Sequence, residues 1–167
     1  MDFTKFNFDY WLKYRDTYNG IDTLVPPSCG VVTAYARSDS ISFPWFAPAG
    51  SSRGIIPGVI GLAMDATLGE KDAMYGNGNA INPIVKYVGN DNYMIWGQKT
   101  LQRFPSALDR VNVRRMLFYI EKQVRTLSRG LLFEPHTSEL EEKFVNIAKS
   151  ILQTVKANSG VYDYVVK

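Results

Sequence analysis

One cysteine, Cys29, and one histidine, His136, are all that this 167-residue chain has of two residue types on which much covalent and metal chemistry relies. A lone cysteine excludes an intrachain disulfide and every multi-cysteine metal spacing. Near a helix N-terminus it could carry a lowered pKa, but a small buried side chain is the expected fate. The lone histidine sits in Glu134-Pro135-His136-Thr137, a loop context that favours a surface or capping role over catalysis. No apolar run approaches the ~20 residues that span a bilayer, and Met1-Asp2-Phe3-Thr4-Lys5 has no signal-peptide pattern, so a soluble protein made inside a cell is expected. Neither glycine-bearing stretch, 50–61 nor 76–78, has G-x-x-x-x-G-K-[ST] or G-x-G-x-x-G spacing, and no nucleotide site is supported. No catalytic residue, cofactor or metal site is expected, and the chain does not read as an enzyme.

What is present is an ordinary folding composition. With 46% hydrophobic and 21% charged residues the chain has material for one sizeable core, and its length favours a single domain over residues 1–167. Ten Tyr, nine Phe and three Trp supply large apolar and amphipathic groups. The net charge of +3 hides a gradient. Between residues 86 and 129 stand nine Lys and Arg against Asp91, Asp109 and Glu121, a local excess of +6 that suits an acidic partner surface. Arg114 and Arg115, with the aromatics Phe104, Phe118 and Tyr119 nearby, leave a basic nucleic-acid-binding module as the alternative reading. Glu139, Glu141 and Glu142 fall in the first turn of a predicted helix, where they oppose its macrodipole.

Period-two alternation of Phe6, Phe8, Tyr10 and Leu12 predicts a strand over residues 3–14. Asn19-Gly20 is a turn, and Val25-Pro26-Pro27-Ser28 starts a helix over 27–36, ending before Ser38-Asp39-Ser40. Seven prolines and glycines between 43 and 61 forbid a long helix there. A strand over 59–66, a helical turn over 69–75, and a hairpin of 81–88 with 93–96 follow. Two amphipathic helices close the pattern. In one, capped by Asp109, Val113, Met116, Leu117, Ile120, Val124 and Leu127 recur every three or four positions until Gly130; the other opens on a Ser138/Glu141 capping box and runs to Asn158. Residues 161–167 are rich in β-formers and read as a last strand. Trp45 and Trp96, beside prolines and Gly97, read as core anchors.

The order of several short motifs carries more than any one of them. Val25-Pro26-Pro27-Ser28, Ala34-Tyr35-Ala36-Arg37-Ser38-Asp39, Trp45-Phe46-Ala47-Pro48-Ala49-Gly50 with Arg53-Gly54, Asn82-Pro83-Ile84, Ile95-Trp96-Gly97-Gln98-Lys99-Thr100-Leu101 and Val111-Asn112-Val113-Arg114-Arg115 follow one another in that sequence. Together they resemble the C-terminal domain of contractile tail sheath proteins of bacteriophages and related injection machines, from about residue 10 to 167. The resemblance implies an α+β fold: a small mixed or antiparallel sheet packed against two long C-terminal helices, completed by strands from neighbouring subunits. It also implies a structural subunit of the virion, made and assembled in the host bacterial cytoplasm, that polymerises around a tail tube and contracts to drive it through a target envelope. Sheath proteins are usually longer at both ends, so a fragment of a longer subunit or a divided gene product is expected.

Implied partners are other copies of the chain, joined by strand addition, the tail tube protein, the baseplate and the tail terminator, with no membrane and no direct nucleic acid. Strand exchange is expected at Phe6, Phe8, Tyr10, Tyr162, Tyr164 and Val166. The tube-facing surface is expected at Lys99, Arg103, Arg110, Arg114, Lys122, Arg125 and Arg129, and Arg37, Asp39 and Arg53 are expected to clamp loops. Exposed ion pairs are each worth ~0 to 1 kcal/mol and are screened by salt, which suits a contact that must release. Charge reversal at Arg114 and Arg125 should weaken tube-templated assembly, measured by pelleting; unchanged assembly removes the cationic contact.

Overall fold

The computed structural model describes residues 11–76, 81–86, 89, 91–102 and 104–166. Chain order is β1 (Leu12–Asp16), β2 (Ile21–Val25), α1 (Pro27–Ile41), α2 (Gly50–Arg53), β3 (Ile55–Ile56), β4 (Val59–Leu62), α3 (Leu68–Gly76), β5 (Ile84–Lys86), β6 (Tyr93–Ile95), a 3-10 turn (Ala107–Asp109), α4 (Val111–Arg129) and α5 (Ser138–Ala157). The α+β class holds, with two antiparallel three-stranded sheets, ordered β2-β1-β4 and β3-β6-β5, where one was expected.

The β1–β2 hairpin closes because Asp16 folds back on its own turn, its Oδ1 accepting the N–H groups of Tyr18 and Asn19 at 2.9 and 3.2 Å. Its register runs from Leu12 opposite Val25 to Asp16 opposite Ile21. β4 pairs with the other side of β1, with a shift in register between Lys13 and Tyr14. Pro57-Gly58, with Gly58 at φ 77°, hands the chain from the second sheet to the first within two residues. β5 and β6 form the expected hairpin, trimmed to Ile84–Lys86 and Tyr93–Ile95.

α1 lies against both sheets. Pro27, Gly30, Val31, Ala34 and Ser38 recur at three and four residues and are the buried stripe of that helix. Val31 and Ala34 join Leu12 and Val59 of the first sheet, and Ile56, Ile84 and Ile95 of the second, in one cluster. Gly30 permits this: a Cβ there would stand 2.6 Å from Leu12 Cδ1 and 2.7 Å from Ile56 Cγ2. Each fully buried Leu, Ile or Met of this cluster and its margin contributes roughly 1.5–3 kcal/mol. The helix runs five residues past the expected end at Ala36, because its serines satisfy its last turn. Ser40 Oγ donates to the Arg37 carbonyl, and both the N–H and Oγ of Ser42 donate to the Ser38 carbonyl. Cys29, expected to be buried, is exposed on the outer face.

Two more expectations are corrected. Asp109 does not cap α4: it closes the 3-10 turn, whose cap is Ser106, and Arg110 occupies the α4 N-cap position. α5 is capped one residue earlier than expected, by Thr137, whose side chain accepts the Leu140 N–H. A reciprocal capping box does exist, at Thr67 and Glu70 before α3: Glu70 Oε2 accepts the Thr67 N–H at 2.7 Å and Thr67 Oγ1 accepts the Glu70 N–H at 3.4 Å.

α4 and α5 pack on each other and join the rest through a pinned connection. Buried Asn82 is its centre. The Asn82 side chain donates from Nδ2 to the Lys99 carbonyl at 2.9 Å and accepts the Lys99 N–H on Oδ1 at 2.8 Å, so it pairs with that peptide as a neighbouring strand would. Gly97 leaves it room, since a Cβ there would lie 2.7 Å from Asn82 Oδ1. The pinned strand then bridges to the start of α4: the Thr100 N–H donates to the Asp109 carbonyl and the Val111 N–H to the Gln98 carbonyl, both at 2.7 Å. Asn82→Ala leaves the half-buried N–H and carbonyl of Lys99 without their partner and should cost about 1 to 3 kcal/mol, read as a lower urea midpoint with unchanged slope. An unchanged midpoint shows that the pin carries nothing.

Candidate interaction surfaces

Three side-chain clamps hold the loop after α1 and tie the helical half to it. Trp45 is nearly fully buried; its Nε1 donates to the Asn158 carbonyl at 2.8 Å, its ring stacks on Phe43 with centroids 4.8 Å apart, and Tyr119 meets it edge-on at 5.5 Å. It therefore ties the loop after α1 to α4 and to the end of α5. Arg115 of α4 pairs with Asp39 of α1 and lies over the Tyr35 ring at 5.4 Å. Burial raises the Tyr35 pKa, and the Arg115 charge partly opposes that. Arg53 Nε donates to the Ala47 carbonyl at 2.9 Å and stands 5.1 Å from the centre of the Phe46 ring. Of the three expected loop-clamp residues, Arg53 thus holds its own loop and Asp39 holds α4. Arg37 is exposed on α1. Trp96, expected in the core, is half exposed.

The expected cationic set divides in two. Lys99 Nζ donates to the Tyr75 carbonyl at 2.5 Å and lies 4.1 Å from the centre of the Tyr75 ring. Arg110 donates to the Tyr75 hydroxyl at 2.9 Å and pairs with Asp109 at 3.2 Å. Arg114 donates from Nε to the Leu108 carbonyl at 3.1 Å and from NH2 to Gln102 Oε1 at 3.0 Å. These three are occupied inside the chain, around Tyr75 and the loop over residues 100–108, and nothing in the sequence pattern marked Tyr75 as their partner. Lys122, Arg125 and Arg129 are exposed along α4, and Arg125 is ion-paired with Glu121 one turn away. Arg103 lies outside the described residues.

A second surface is the sheet edge. β2 has β1 as its neighbour and no described strand on its outer side, and its residues are exposed except for half-buried Val25. The backbone groups of these five residues that point away from β1 are a template for an added strand. Across the hairpin, Asp22 pairs with Arg15 at 2.8 Å and Lys13 at 3.3 Å. Of the positions expected to exchange strands, Phe6, Phe8 and Tyr10 lie outside the described residues. The expected last strand is corrected: residues 161–166 form no strand, and the segment is drawn back along α5. Tyr164 Oη reaches the Lys149 carbonyl at 3.3 Å and Gln153 Oε1 at 3.1 Å, and Asp163 pairs with Lys156 at 2.9 Å. Tyr162 is fully exposed and Val166 half buried.

At the α4–α5 turn an open hollow of about 540 Å³ is lined by Leu131, Leu140, Phe144 and Val145, with Glu134, His136 and Glu141 at its rim. His136 is exposed and stands 3.4 Å from Glu141, a surface pairing. Among the described residues no group of three His, Cys, Asp or Glu side chains is placed to hold a metal ion, and no helix is long and apolar enough to cross a membrane.

No protein-family model matches the chain. Curated relatives do. The tail sheath protein of Enterobacteria phage T4 is 36% identical over 153 residues, which is 91% of this chain and 23% of that protein. The tail sheath protein of Vibrio phage KVP40 is 35% identical over 153 residues, 91% of this chain and 22% of that protein. That of Salmonella phage ViI is 28% identical over 159 residues. The chain thus spans less than a quarter of the length of the first two. Among solved structures, the anti-feeding prophage baseplate contains a chain that matches with a TM-score of 0.74 at 20% identity, over 89% of this chain and 38% of that one. The helical sheath of the same particle in its contracted state matches with a TM-score of 0.73 at 20% identity, over 87% of this chain and 38% of that one. At that identity the likeness concerns the fold.

Hydrogen bonding from Arg15, then Lys13, lowers the Asp22 pKa, and bonds from Asn19 and Tyr18 lower that of Asp16. Groups with depressed folded pKa values contribute fully above the ordinary aspartate value of ~3.9 and lose that contribution as pH falls through their folded values. NMR contacts between Tyr14 and Thr23 should therefore persist unchanged from pH 7 to 5 and fade below about pH 4. Fading already at pH 5 to 6 rules out these two carboxylates as the cause.

Proposed function

We propose that this chain, which belongs to the tail sheath protein family, is a structural segment of a contractile tail sheath subunit. It corresponds to the tube-facing C-terminal domain of a longer sheath protein, polymerises around a tail tube, and contracts to drive the tube through a target envelope. The observation that carries this reading is the 36% identity to the phage T4 tail sheath protein over 91% of the chain. Its place is the virion, with assembly in the host bacterial cytoplasm, and its work is mechanical. Other copies of itself, the tube, the baseplate and the tail terminator are its partners.

Two features of the chain support the reading. The outer edge of β2 can accept a strand from a neighbouring copy, a link made by backbone groups that survives rotation of the bodies it joins. Lys122, Arg125 and Arg129 give α4 an exposed cationic stripe for an acidic tube wall. Individually weak contacts of this kind, repeated by symmetry, hold an assembly that can still let go.

Electron microscopy of the protein co-expressed with its tail tube protein should show rings or striated tubes, and persistent monomers overturn the proposal. In such assemblies, hydrogen exchange at Ile21–Val25 should slow by about tenfold or more relative to the free chain, since an added strand occupies the edge amides. Unchanged exchange in assembled particles rules out strand addition at β2 while leaving the sheath role in place.

A further inference from the structure

The core does little for α3. None of its residues is buried, Lys71, Met74 and Tyr75 are half buried, and its first residue, Leu68, is 76% exposed. At nine residues it is shorter than the ~12–15 at which a helix begins to hold itself in water. Its start is closed locally, by the Thr67/Glu70 capping box and by Lys71 beside Asp65 at 3.7 Å. Its reach into the rest of the chain comes at the other end. There the Tyr75 carbonyl accepts from Lys99 Nζ at 2.5 Å, the Tyr75 ring has the same ammonium 4.1 Å from its centre, and the Tyr75 hydroxyl accepts from Arg110 at 2.9 Å. The ring has room because position 97 is glycine: a Cβ there would stand 2.8 Å from Tyr75 Cε2. Beside these, the Ile81 N–H donates to the Met74 carbonyl over a long 3.4 Å.

The connection beneath α3 is fastened through other atoms. Asn82 bonds the main-chain N–H and carbonyl of Lys99, and main-chain bonds from Thr100 to Asp109 and from Val111 to Gln98 start α4, whereas Tyr75 takes the side chains of Lys99 and Arg110. One set can break while the other holds. A segment with little buried apolar area and few polar ties opens at a lower free energy than the whole fold. We propose that α3 is a releasable strap, that Tyr75 is its latch, and that release turns Lys99 from an internal fastener into a solvent-facing cation while Asn82 keeps the start of α4 in place. Arg110 retains its pairing with Asp109, 3.2 Å away, so the change in displayed charge falls on Lys99. This movement lies within one chain and holds whether or not the chain builds a sheath.

The test is amide hydrogen exchange of the full chain in native buffer, with lysine acylation followed by mass spectrometry as a second measurement. Amides of residues 72–76 should exchange about a hundredfold or more faster than those of buried Val31 and Ala34, through an opening that leaves the core closed. Tyr75→Phe loses the Arg110 bond and keeps the other two contacts, so it should speed α3 exchange about tenfold. Lys99→Met should act in the same direction without touching the main-chain pin. Tyr75→Ala should speed α3 exchange further and raise Lys99 acylation, slow in the wild type, to the rate of exposed Lys122, with Val31 and Ala34 unchanged. Equal protection of α3 and the core in the wild type overturns the strap. Unchanged α3 exchange in Tyr75→Phe and Tyr75→Ala overturns the latch, and core protection lost together with that of α3 in Tyr75→Phe and Lys99→Met overturns the independence of the two fastenings. Lys99 acylation that stays slow in Tyr75→Ala overturns the switch in charge.

Discussion

The point where the helical half begins is set by one side-chain amide. Asn82 is buried just before β5, and its side chain bonds both the N–H and the carbonyl of Lys99. Because the next residues bridge to Asp109 and Val111, the Lys99 peptide sets where α4 begins. A backbone strand could have made the same two hydrogen bonds, but it would have needed a further stretch of chain. The amide does it from the turn before β5, and Gly97 is small where that amide must fit. The low dielectric around it strengthens the pairing and makes its loss expensive, so a short polar contact has structural reach.

Beyond that pin, the helical pair is held more by directed contacts than by depth of burial. Val111 is the fully buried residue of α4, and Ala148 and Val155 are those of α5. The Trp45 indole and the Arg115 guanidinium supply what a deeper core would otherwise provide. Each has one correct geometry, a donor aimed at the Asn158 carbonyl or at Asp39, with an aromatic face alongside. Such contacts tie α4 and α5 to the loop after α1 and to α1 itself while leaving the apolar flanks of both helices half exposed.

How far the sequence revealed this differs by kind of interaction. Periodic patterns were legible: α1 starts at Pro27, the β5–β6 hairpin closes, and both C-terminal helices lie where their apolar spacing put them. Local polar geometry was less so. Ser138 and Asp109 are both plausible caps by composition, yet Thr137 and the 3-10 turn took those places, because neighbouring residues offer the same oxygen one step earlier. The β-rich residues 161–166 have strand composition but lie along α5, where Tyr164 and Asp163 find partners within the chain. β2 escaped notice because Ile21-Asp22-Thr23-Leu24-Val25 has no clear alternation and gains its strand from pairing with β1. The motifs Asn82-Pro83 and Trp96-Gly97-Gln98-Lys99 stood out as words, and their meaning as two halves of one clamp is a contact across 17 residues that no local pattern contains.

Charge shows the same limit more sharply. Counting Lys and Arg between residues 86 and 129 finds a basic segment, but a count cannot say which cations are already engaged. Tyr75, well outside that segment, takes up Lys99 and Arg110 with its carbonyl, ring and hydroxyl, and the 100–108 loop takes up Arg114. Three of the charges counted in that segment hold contacts inside the chain. The distinction has a physical consequence for any surface that must bind and release. Cations spent on the fold do not respond to a partner, so the exposed stripe that is left is weaker as an electrostatic surface than the sequence implies.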